Sequence, residues 1–167
     1  MKSTGSKIKN LKDIHSSIER IAYQIYESNS EEKVIFIVGI GEKGKVLSSL
    51  IGKSLSSISK IKVELITLYI DKKNPLNTIN SDKPLNVLKN NSVVVVDDVL
   101  NTGKTLIYAV SYFLQAPVKS IKTAVMVNRN HKKFPIKADF KGISLATTIN
   151  EHISVILDGP DPGIFLT

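Results

Sequence analysis

The sequence predicts an α/β fold in which a doubly wound, mainly parallel sheet is flanked by helices. Three observations support this prediction. Continuous apolar stretches alternate with segments whose apolar residues recur at helical spacing. Residues 93–96 are four consecutive valines, the pattern of a strand buried on both faces of a parallel sheet. The chain has 167 residues, 42% of them hydrophobic, which predicts one domain spanning residues 1–167 with a substantial core.

The first half of the chain predicts two helices and two strands. Residues 11–26 form an amphipathic helix that covers one face of the sheet. Residues 34–38 form a strand, and the glycine-rich segment 39–44 after it opens a second helix with apolar residues Val46, Leu47, Leu50, Ile51 and Leu55. A further strand spans residues 61–70. We expect the polar residues 1–9 to be disordered.

The second half begins with residues 71–91, a long polar segment with two prolines. A connection of that length is typical of a flexible lid, although disorder without function is a rival interpretation. The valine strand then ends in two acids, and a helix follows with Leu106, Ala109, Val110, Phe113 and Leu114. Short strands are predicted at residues 121–127, 143–145 and 153–157, the last ones in a small C-terminal hood, before a turn-rich tail at residues 158–163.

Composition narrows the classes of function. The absence of cysteine excludes disulfides, thiolate metal sites and cysteine nucleophiles. A formal net charge of +8 favours a polyanionic partner such as a nucleotide, a phosphosugar or RNA, although lysine richness is equally compatible with a compositional habit. The chain has only two arginines, and lysine lacks the planar guanidinium fork that proteins use to bind base edges. Since no apolar run reaches the length of a membrane span, we expect no membrane partner and a cytoplasmic protein.

Two adjacent acids, Asp97 and Asp98, follow the valine strand. Removing carboxylates from water is costly unless a metal ion, a hydroxyl or another donor compensates them, so the pair indicates a site. The polar loop 101–105 comes next and opens a helix. Its free backbone N–H groups, with the positive end of the helix dipole behind them, form an anion cradle. Acid pair and cradle together indicate a phosphorylated sugar.

The two glycine motifs have alternative interpretations. A nucleoside-triphosphate P-loop requires a glycine five positions before Gly103, where this chain has Asp98. Gly39, Gly41 and Gly44 match the dinucleotide fingerprint, with Asp71 as a late candidate for the ribose acid. That alternative leaves the acid pair and the second loop unexplained. One ribose carrying phosphate groups at both ends explains both loops, because ligands of doubly wound sheets lie beyond the carboxyl ends of the strands.

Residues 93–106, with hydrophobic residues, two acids and the sequence T-G-x-T, resemble the 5-phosphoribosyl-1-pyrophosphate (PRPP) motif of type I phosphoribosyltransferases. Residues 21–40, 66–69 and 127–142 are similar to the bifunctional pyrimidine-operon regulators that are also uracil phosphoribosyltransferases. The similarity extends over roughly residues 14–157. It implies the type I phosphoribosyltransferase fold.

The resemblance also implies roles for individual residues. Asp97 and Asp98 would be the catalytic pair that holds the ribose 2′- and 3′-hydroxyls. The 5′-phosphate would be bound by Asn101, Thr102, Gly103, Lys104 and Thr105, and the pyrophosphate by Gly39, Ile40, Gly41, Glu42, Lys43 and Gly44. Asn128 and Arg129 would bind the base, and Mg²⁺ would be held mainly by PRPP rather than by protein ligands. Each role has a structural alternative. The acid pair could cap the turn after the strand, residues 102–105 could be an ordinary helix N-cap, and residues 39–44 could be a tight strand-to-helix turn.

The implied function is transfer of the phosphoribosyl group of PRPP to a nucleobase, most of all uracil, by a homo-oligomer. Asn101, Asn128, Asn130 and Ile70 depart from the pattern of the regulators. An amide cannot take a proton at neutral pH, so the sequence disfavours purine salvage and is compatible with weak uracil transfer. The alternative is an RNA-binding regulator that senses PRPP and uridine nucleotides, and a remote one is a dinucleotide-binding protein. We interpret His131 as structural, and leave His15 and His152 unassigned.

Overall fold

The computed structural model of the chain describes residues 5–167 as two sheets with three α-helices. In chain order the elements are β1 Ser6–Asn10, α1 Leu11–Ser28, β2 Val34–Ile40, α2 Gly41–Ile58, β3 Lys62–Tyr69, β4 Asn80–Ser81, a 3₁₀ turn Leu85–Leu88, β5 Ser92–Leu100, α3 Lys104–Phe113, β6 Ser120–Arg129, β7 Phe140–Leu145, β8 Ile153–Ile156 and β9 Gly163–Leu166.

The main sheet has six strands in the order β4-β3-β2-β5-β6-β7. All neighbouring pairs are parallel except the short edge strand β4, which pairs antiparallel with β3. The chain runs from β2 outwards to β3 and then returns to the other side of β2 as β5. This reversal of strand order confirms the predicted doubly wound, mainly parallel sheet and creates a crevice at the carboxyl ends of β2 and β5.

Helices cover both faces of this sheet. The helices α1 and α2 pack on one face, where Ile21, Leu47 and Ile51 are fully buried, and α3 packs on the other through Phe113. The valine run serves both faces: Val94 and Val96 belong to the first cluster, and Val93 and Val95 to the second. Burial on both faces therefore explains why this strand is continuously apolar rather than alternating.

The second sheet joins the two ends of the described chain. The strand β1 pairs antiparallel with β9, from Ser6 opposite Leu166 to Asn10 opposite Gly163, and β9 also pairs with β8. The structure thus differs from the expected disorder of residues 1–9: residues 5–9 are ordered, and residues 1–4 lie outside the described part. No local pattern could reveal β1 or β9, because their hydrogen-bond partners lie far apart in the sequence.

The expected lid, residues 71–91, also contains regular structure. Its second half holds β4 and the 3₁₀ turn, in which Leu88 is fully buried. The backbone N–H of Thr67 donates to Asp82 Oδ1 at 2.9 Å, and the N–H of Asp82 donates to the carbonyl of Thr67 at 3.1 Å. These bonds tie residues 80–91 to the sheet, so mobility remains a prediction for residues 71–79 alone.

At the edge that carries the candidate site, β5 and β6 are both longer than predicted. The strand β6 continues to Arg129 instead of ending at residue 127. The strand β5 continues to Leu100, so Asp97 and Asp98 lie within it rather than after it. Its ladder with β6 extends from Asp97 opposite Val125 to Leu100 opposite Asn128. Backbone pairing with a neighbouring strand sets where β5 ends, and the polar residues do not interrupt it. In the described residues 5–167, no helix has both the length and the apolar character to cross a membrane.

We expect Leu88→Ala to lower the free energy of unfolding by about 2–4 kcal/mol, because it leaves a cavity under the 3₁₀ turn. The neighbouring Val87 is 36% exposed, and Val87→Ala should cost no more than about 1 kcal/mol. Urea denaturation of both variants measures the difference. Equal, small effects would show that residues 85–88 are not packed as described.

Candidate functional site

The candidate site lies at the carboxyl edge of the main sheet, where β2 and β5 are neighbours. Each strand leads into a helix there, β2 into α2 and β5 into α3. The first four N–H groups of a helix lack intrahelical partners, and its dipole places partial positive charge at the same end. Two helix N-termini that open from adjacent strands thus provide two candidate anion-binding positions beside each other.

The first anion-binding position is the junction between β2 and α2. The predicted pyrophosphate loop is not a loop: Gly39 and Ile40 end β2, and residues 41–44 form the first turn of α2. A Cβ on Gly39 would lie 2.4 Å from the carbonyl oxygen of Gly44, and a Cβ on Gly44 would lie 3.0 Å from that of Val96. Gly41 has φ +64° with nothing within 4 Å of a built Cβ. Gly39 and Gly44 allow the end of β2, the first turn of α2 and the backbone of Val96 to pack closely. Gly41 allows the positive φ at the start of α2, and the space beside it is open.

Glu42 and Lys43 complete this first turn, and both side chains are exposed. No side chain caps the helix: its N-cap residue is Ile40, whose apolar side chain cannot accept a hydrogen bond from the first turn. The N–H groups of the turn are therefore available to a ligand. Lys43 adds a mobile positive charge at the same place.

The second anion-binding position is the segment from Asn101 to Thr105. Gly103 is the N-cap of α3 with φ +85°, and a Cβ there would lie 2.6 Å from Cγ2 of Ile136. The N–H of Lys104 donates to Thr102 Oγ1 at 3.3 Å. The segment lines a cavity of about 300 Å³ together with Lys72, Asp97, Val99, Leu100, Leu106 and Val125. The cavity joins the helix terminus to one member of the acid pair.

The acid pair lies between these two positions and is buried, with Asp97 3% and Asp98 7% exposed. Asp97 Oδ1 accepts from the backbone N–H of Asp98 at 2.9 Å and from Lys72 Nζ at 3.0 Å. Lys72 Nζ is also 3.7 Å from Asp98 Oδ1, and Lys43 Nζ is 3.7 Å from Asp98 Oδ2. Two ammonium groups from two different segments therefore balance two carboxylates.

Burial dominates the protonation of this cluster. It raises the pKa of Asp97 to about 7, with Lys72 opposing the rise and the charge of Asp98 adding to it. Burial alone would lower the pKa of Lys72, but the attraction of both carboxylates outweighs it and raises that pKa. Lys72 thus stays charged near neutral pH, while Asp97 changes protonation there. Ligand hydroxyls that donate to Asp97 would favour its charged form.

Sequence reasoning gave Lys72 no role, although the structure places it at the acid pair. The residue lies in the expected lid, 25 positions before Asp97. No local pattern marks such a contact, because it depends on how the segment after β3 folds over the neighbouring strand. In the sequence, Lys72 is distinguished only by following the acid Asp71, and this does not indicate a contact with Asp97.

The base-side residues Asn128 and Arg129 end β6. Asn128 Nδ2 donates weakly to Ser144 Oγ at 3.4 Å, and its Oδ1 is buried without a hydrogen-bond partner in the described residues. Arg129 is buried, and its guanidinium donates to Thr147 Oγ1 and, at 2.6 Å each, to the carbonyls of Thr148 and Glu151. Arg129 thereby holds the segment 147–151, whereas the free acceptor is on Asn128.

Asn101 connects the base side to the phosphate side, because its Oδ1 accepts from Arg129 Nη1 at 3.4 Å. His131 has a structural contact: its Nε2 is 2.8 Å from the carbonyl of Thr147. Of the unassigned histidines, His15 lines a surface groove between α1 and α2, and the backbone of His152 pairs with that of Thr167. In residues 5–167, no group of three or more histidines and acids could hold a metal ion.

Known proteins resemble this chain in sequence over most of its length. The family model described as phosphoribosyl transferase domain matches residues 5–158. The bifunctional protein PyrR of Fusobacterium nucleatum is 36% identical over 165 residues, covering 92% of this chain and 93% of that protein. PyrR of Leuconostoc mesenteroides is 33% identical over 160 residues, covering 89% and 90%.

Solved structures with low sequence identity share the fold. The hypoxanthine phosphoribosyltransferase of Trypanosoma cruzi has a TM-score of 0.80 at 15% identity, covering 96% of this chain and 95% of that chain. A hypoxanthine-guanine phosphoribosyltransferase of Bacillus anthracis has a TM-score of 0.77 at 17% identity, covering 97% and 96%. At such identities the likeness concerns the fold alone.

We expect Asp97→Asn to stabilise the ligand-free protein more at pH 8 than at pH 4.5, by roughly 1–3 kcal/mol. The folded pKa of about 7 lies above the ordinary 3.8, so the native state binds the extra proton between these values. Wild-type stability therefore falls as pH rises through this window, and the neutral amide does not share that loss. Denaturation at both pH values measures it. A gain that is equal at both would contradict the assignment.

Proposed function

The chain belongs to the phosphoribosyl transferase family and is a phosphoribosyltransferase; from this premise we propose that it transfers the phosphoribosyl group of PRPP to uracil, yielding UMP and pyrophosphate. One observation carries the proposal: a buried acid pair, Asp97 and Asp98, lies between two helix N-termini at the carboxyl edge of the sheet. A ribose with phosphate groups at both ends matches this order of anion site, hydroxyl acceptors and anion site.

Each part of the donor has a proposed partner. Asp97 and Asp98 accept hydrogen bonds from the ribose 2′- and 3′-hydroxyls. The 5′-phosphate is bound by N–H and side-chain donors of Asn101, Thr102, Gly103, Lys104 and Thr105 in the lined cavity. The pyrophosphate is bound at the start of α2 by Gly39, Ile40, Gly41, Glu42, Lys43 and Gly44, with Lys43 as the charged group.

The acceptor base is proposed to lie at the end of β6. The buried Oδ1 of Asn128, which lacks a partner in residues 5–167, can accept the N3–H of uracil. Arg129 holds segment 147–151 and contacts Asn101, so its role is to position the base side against the ribose side. The amides of Asn101 and Asn128 can hydrogen-bond the base but cannot take its proton, so no base catalyst is assigned to either residue.

In the proposed reaction the bond from ribose C1 to pyrophosphate oxygen breaks and a bond from C1 to uracil N1 forms. The electron pair of the broken bond leaves with pyrophosphate, and so does the N1 proton. Positive charge builds on the ribose ring, and the carboxylates of Asp97 and Asp98 stabilise it electrostatically. Residues 71–79 are proposed to exclude water from this step. Holding uracil N1 in line with the bond that breaks between C1 and pyrophosphate provides the remaining acceleration.

Magnesium fits the oxygen-rich ligand set that the complex would provide. No cluster in residues 5–167 could hold a metal ion on its own, so pyrophosphate oxygens and water would be its main ligands, beside Asp97 and Asp98. A bound Mg²⁺ would supply positive charge that offsets the charge of the leaving pyrophosphate. The protein's own contribution there is the N-terminus of α2 and Lys43.

A second candidate function is RNA-binding regulation that responds to uridine nucleotides. This function is compatible with transfer in one homo-oligomer. The net charge of +8 favours this candidate, as do the exposed lysines 132, 133 and 137. The backbone N–H of Lys133 donates to the carbonyl of Thr102 at 2.8 Å, in the proposed 5′-phosphate segment. The dinucleotide interpretation of Gly39, Gly41 and Gly44 is not pursued, because the family assignment accounts for these glycines.

For RNA binding, we expect the logarithm of the affinity for a pyrimidine-operon leader RNA to fall linearly with the logarithm of salt concentration. UMP should change the affinity for that RNA and not for a scrambled RNA of equal length. Filter binding at several salt concentrations measures both. Binding that is independent of RNA sequence and of UMP would contradict a regulatory role.

For transfer, we expect UMP to form from PRPP, Mg²⁺ and uracil, and much less product from hypoxanthine, guanine or orotate. Asp98→Asn should lower kcat/KM at least about 100-fold, since it removes charge next to the ribose ring. The exposed Asp161, which pairs with Lys7 in the hood, provides the matched control Asp161→Asn with unchanged activity. Chromatography of the products measures all of these. If no base yields a monophosphate, the transfer proposal fails.

A further inference from the structure

Lys72 is presented to the acid pair by a turn that Asp71 builds. Asp71 Oδ1 accepts from the backbone N–H groups of Lys73 at 2.9 Å and Asn74 at 3.2 Å, and its Oδ2 accepts from Asn77 Nδ2 at 2.9 Å. The hydrogen bonds from Asn74 and Lys73 hold the pKa of Asp71 below its ordinary value, since they favour the charged carboxylate. Lys72 is thus directed inwards by an organised backbone.

The Lys72 ammonium lies against carboxylate oxygens of both acids, which the proposed ribose diol would also use. It lies 3.0 Å from Asp97 Oδ1 and 3.7 Å from Asp98 Oδ1, in the same cavity as the 5′-phosphate segment. A hydroxyl that donates to the same two oxygens must displace it. The Lys72 side chain is 47% exposed, so it can leave towards solvent without disturbing the core.

When Lys72 leaves towards solvent, it loses the electrostatic attraction of Asp97 and Asp98. Contact with another anion would offset this loss. Lys43 Nζ contacts the second oxygen of the carboxylate that Lys72 contacts, and Lys43 belongs to the first turn of α2. Lys72 and Lys43 thus contact the same carboxylate, which places Lys72 on the side of the acid pair where the pyrophosphate is proposed to bind. A sugar phosphate without pyrophosphate displaces Lys72 and offers no such replacement.

We propose that Lys72 is a specificity-determining residue that closes the Asp97–Asp98 pair to sugar phosphates lacking an anionic group at C1 and opens it to PRPP. The inference rests on the proposed PRPP function and adds the reason for selectivity over ribose 5-phosphate. Lys72 exchanges one anionic partner for another when PRPP binds, and loses a partner when ribose 5-phosphate binds. Displacing Lys72 therefore weakens the binding of ribose 5-phosphate more than the binding of PRPP.

The test compares Lys72→Met, which keeps length and removes charge, with Lys73→Met at the adjacent exposed lysine. Isothermal titration calorimetry gives the affinities of wild type and both variants for PRPP and for ribose 5-phosphate, each with Mg²⁺. Lys72→Met should bind ribose 5-phosphate roughly fivefold more tightly than wild type and PRPP no more tightly, which lowers the selectivity for PRPP. Lys73→Met should match wild type for both ligands.

Two other results overturn the inference. If wild type binds PRPP but Lys72→Met binds ribose 5-phosphate no better than wild type, Lys72 does not guard the pair, while the proposed function stands. If wild type does not bind PRPP, the proposed function fails and the inference fails with it. Thermal unfolding of each variant, and a second substitution Lys72→Gln with the same expected affinities, separate loss of the charge from loss of the fold.

Discussion

The compensation of two buried carboxylates is the constraint on which the site depends. Asp97 and Asp98 lie within β5, where a continuing ladder with β6 removes them from water. Uncompensated, such burial is costly, and the structure offsets it with ammonium groups from the segments after β2 and β3. The same two segments border the anion sites. The same segments therefore neutralise the acid pair and border the proposed donor site.

The reversal of strand order makes this assembly possible. Because β5 returns to the side of β2 opposite β3, the helices that follow β2 and β5 start next to each other on opposite faces of the sheet. Glycines permit both starts, Gly39 and Gly44 through close backbone packing and Gly103 through a positive φ. The base side is joined to this frame by Arg129 and Asn101.

The sequence was sufficient for the sheet class, the helices and the edge that carries the site, because periodicity and continuous valine burial are local signals. It was insufficient for β1 and β9, whose pairing joins the ends of the chain, and for β4 and the 3₁₀ turn within the expected lid. The acid pair and both glycine motifs were identified from short motifs. Lys72 and the guanidinium contacts of Arg129 were not, because they depend on tertiary placement of polar segments.

The central claim is that one ribose with phosphate groups at both ends spans the acid pair. A crystal structure of the protein with PRPP and Mg²⁺ tests it most directly. The account predicts the 5′-phosphate at residues 101–105, the ribose hydroxyls on Asp97 and Asp98, the pyrophosphate at the start of α2, and Lys72 displaced from the pair. PRPP bound with its phosphate groups away from both helix N-termini, or with Lys72 still on Asp97, would contradict it.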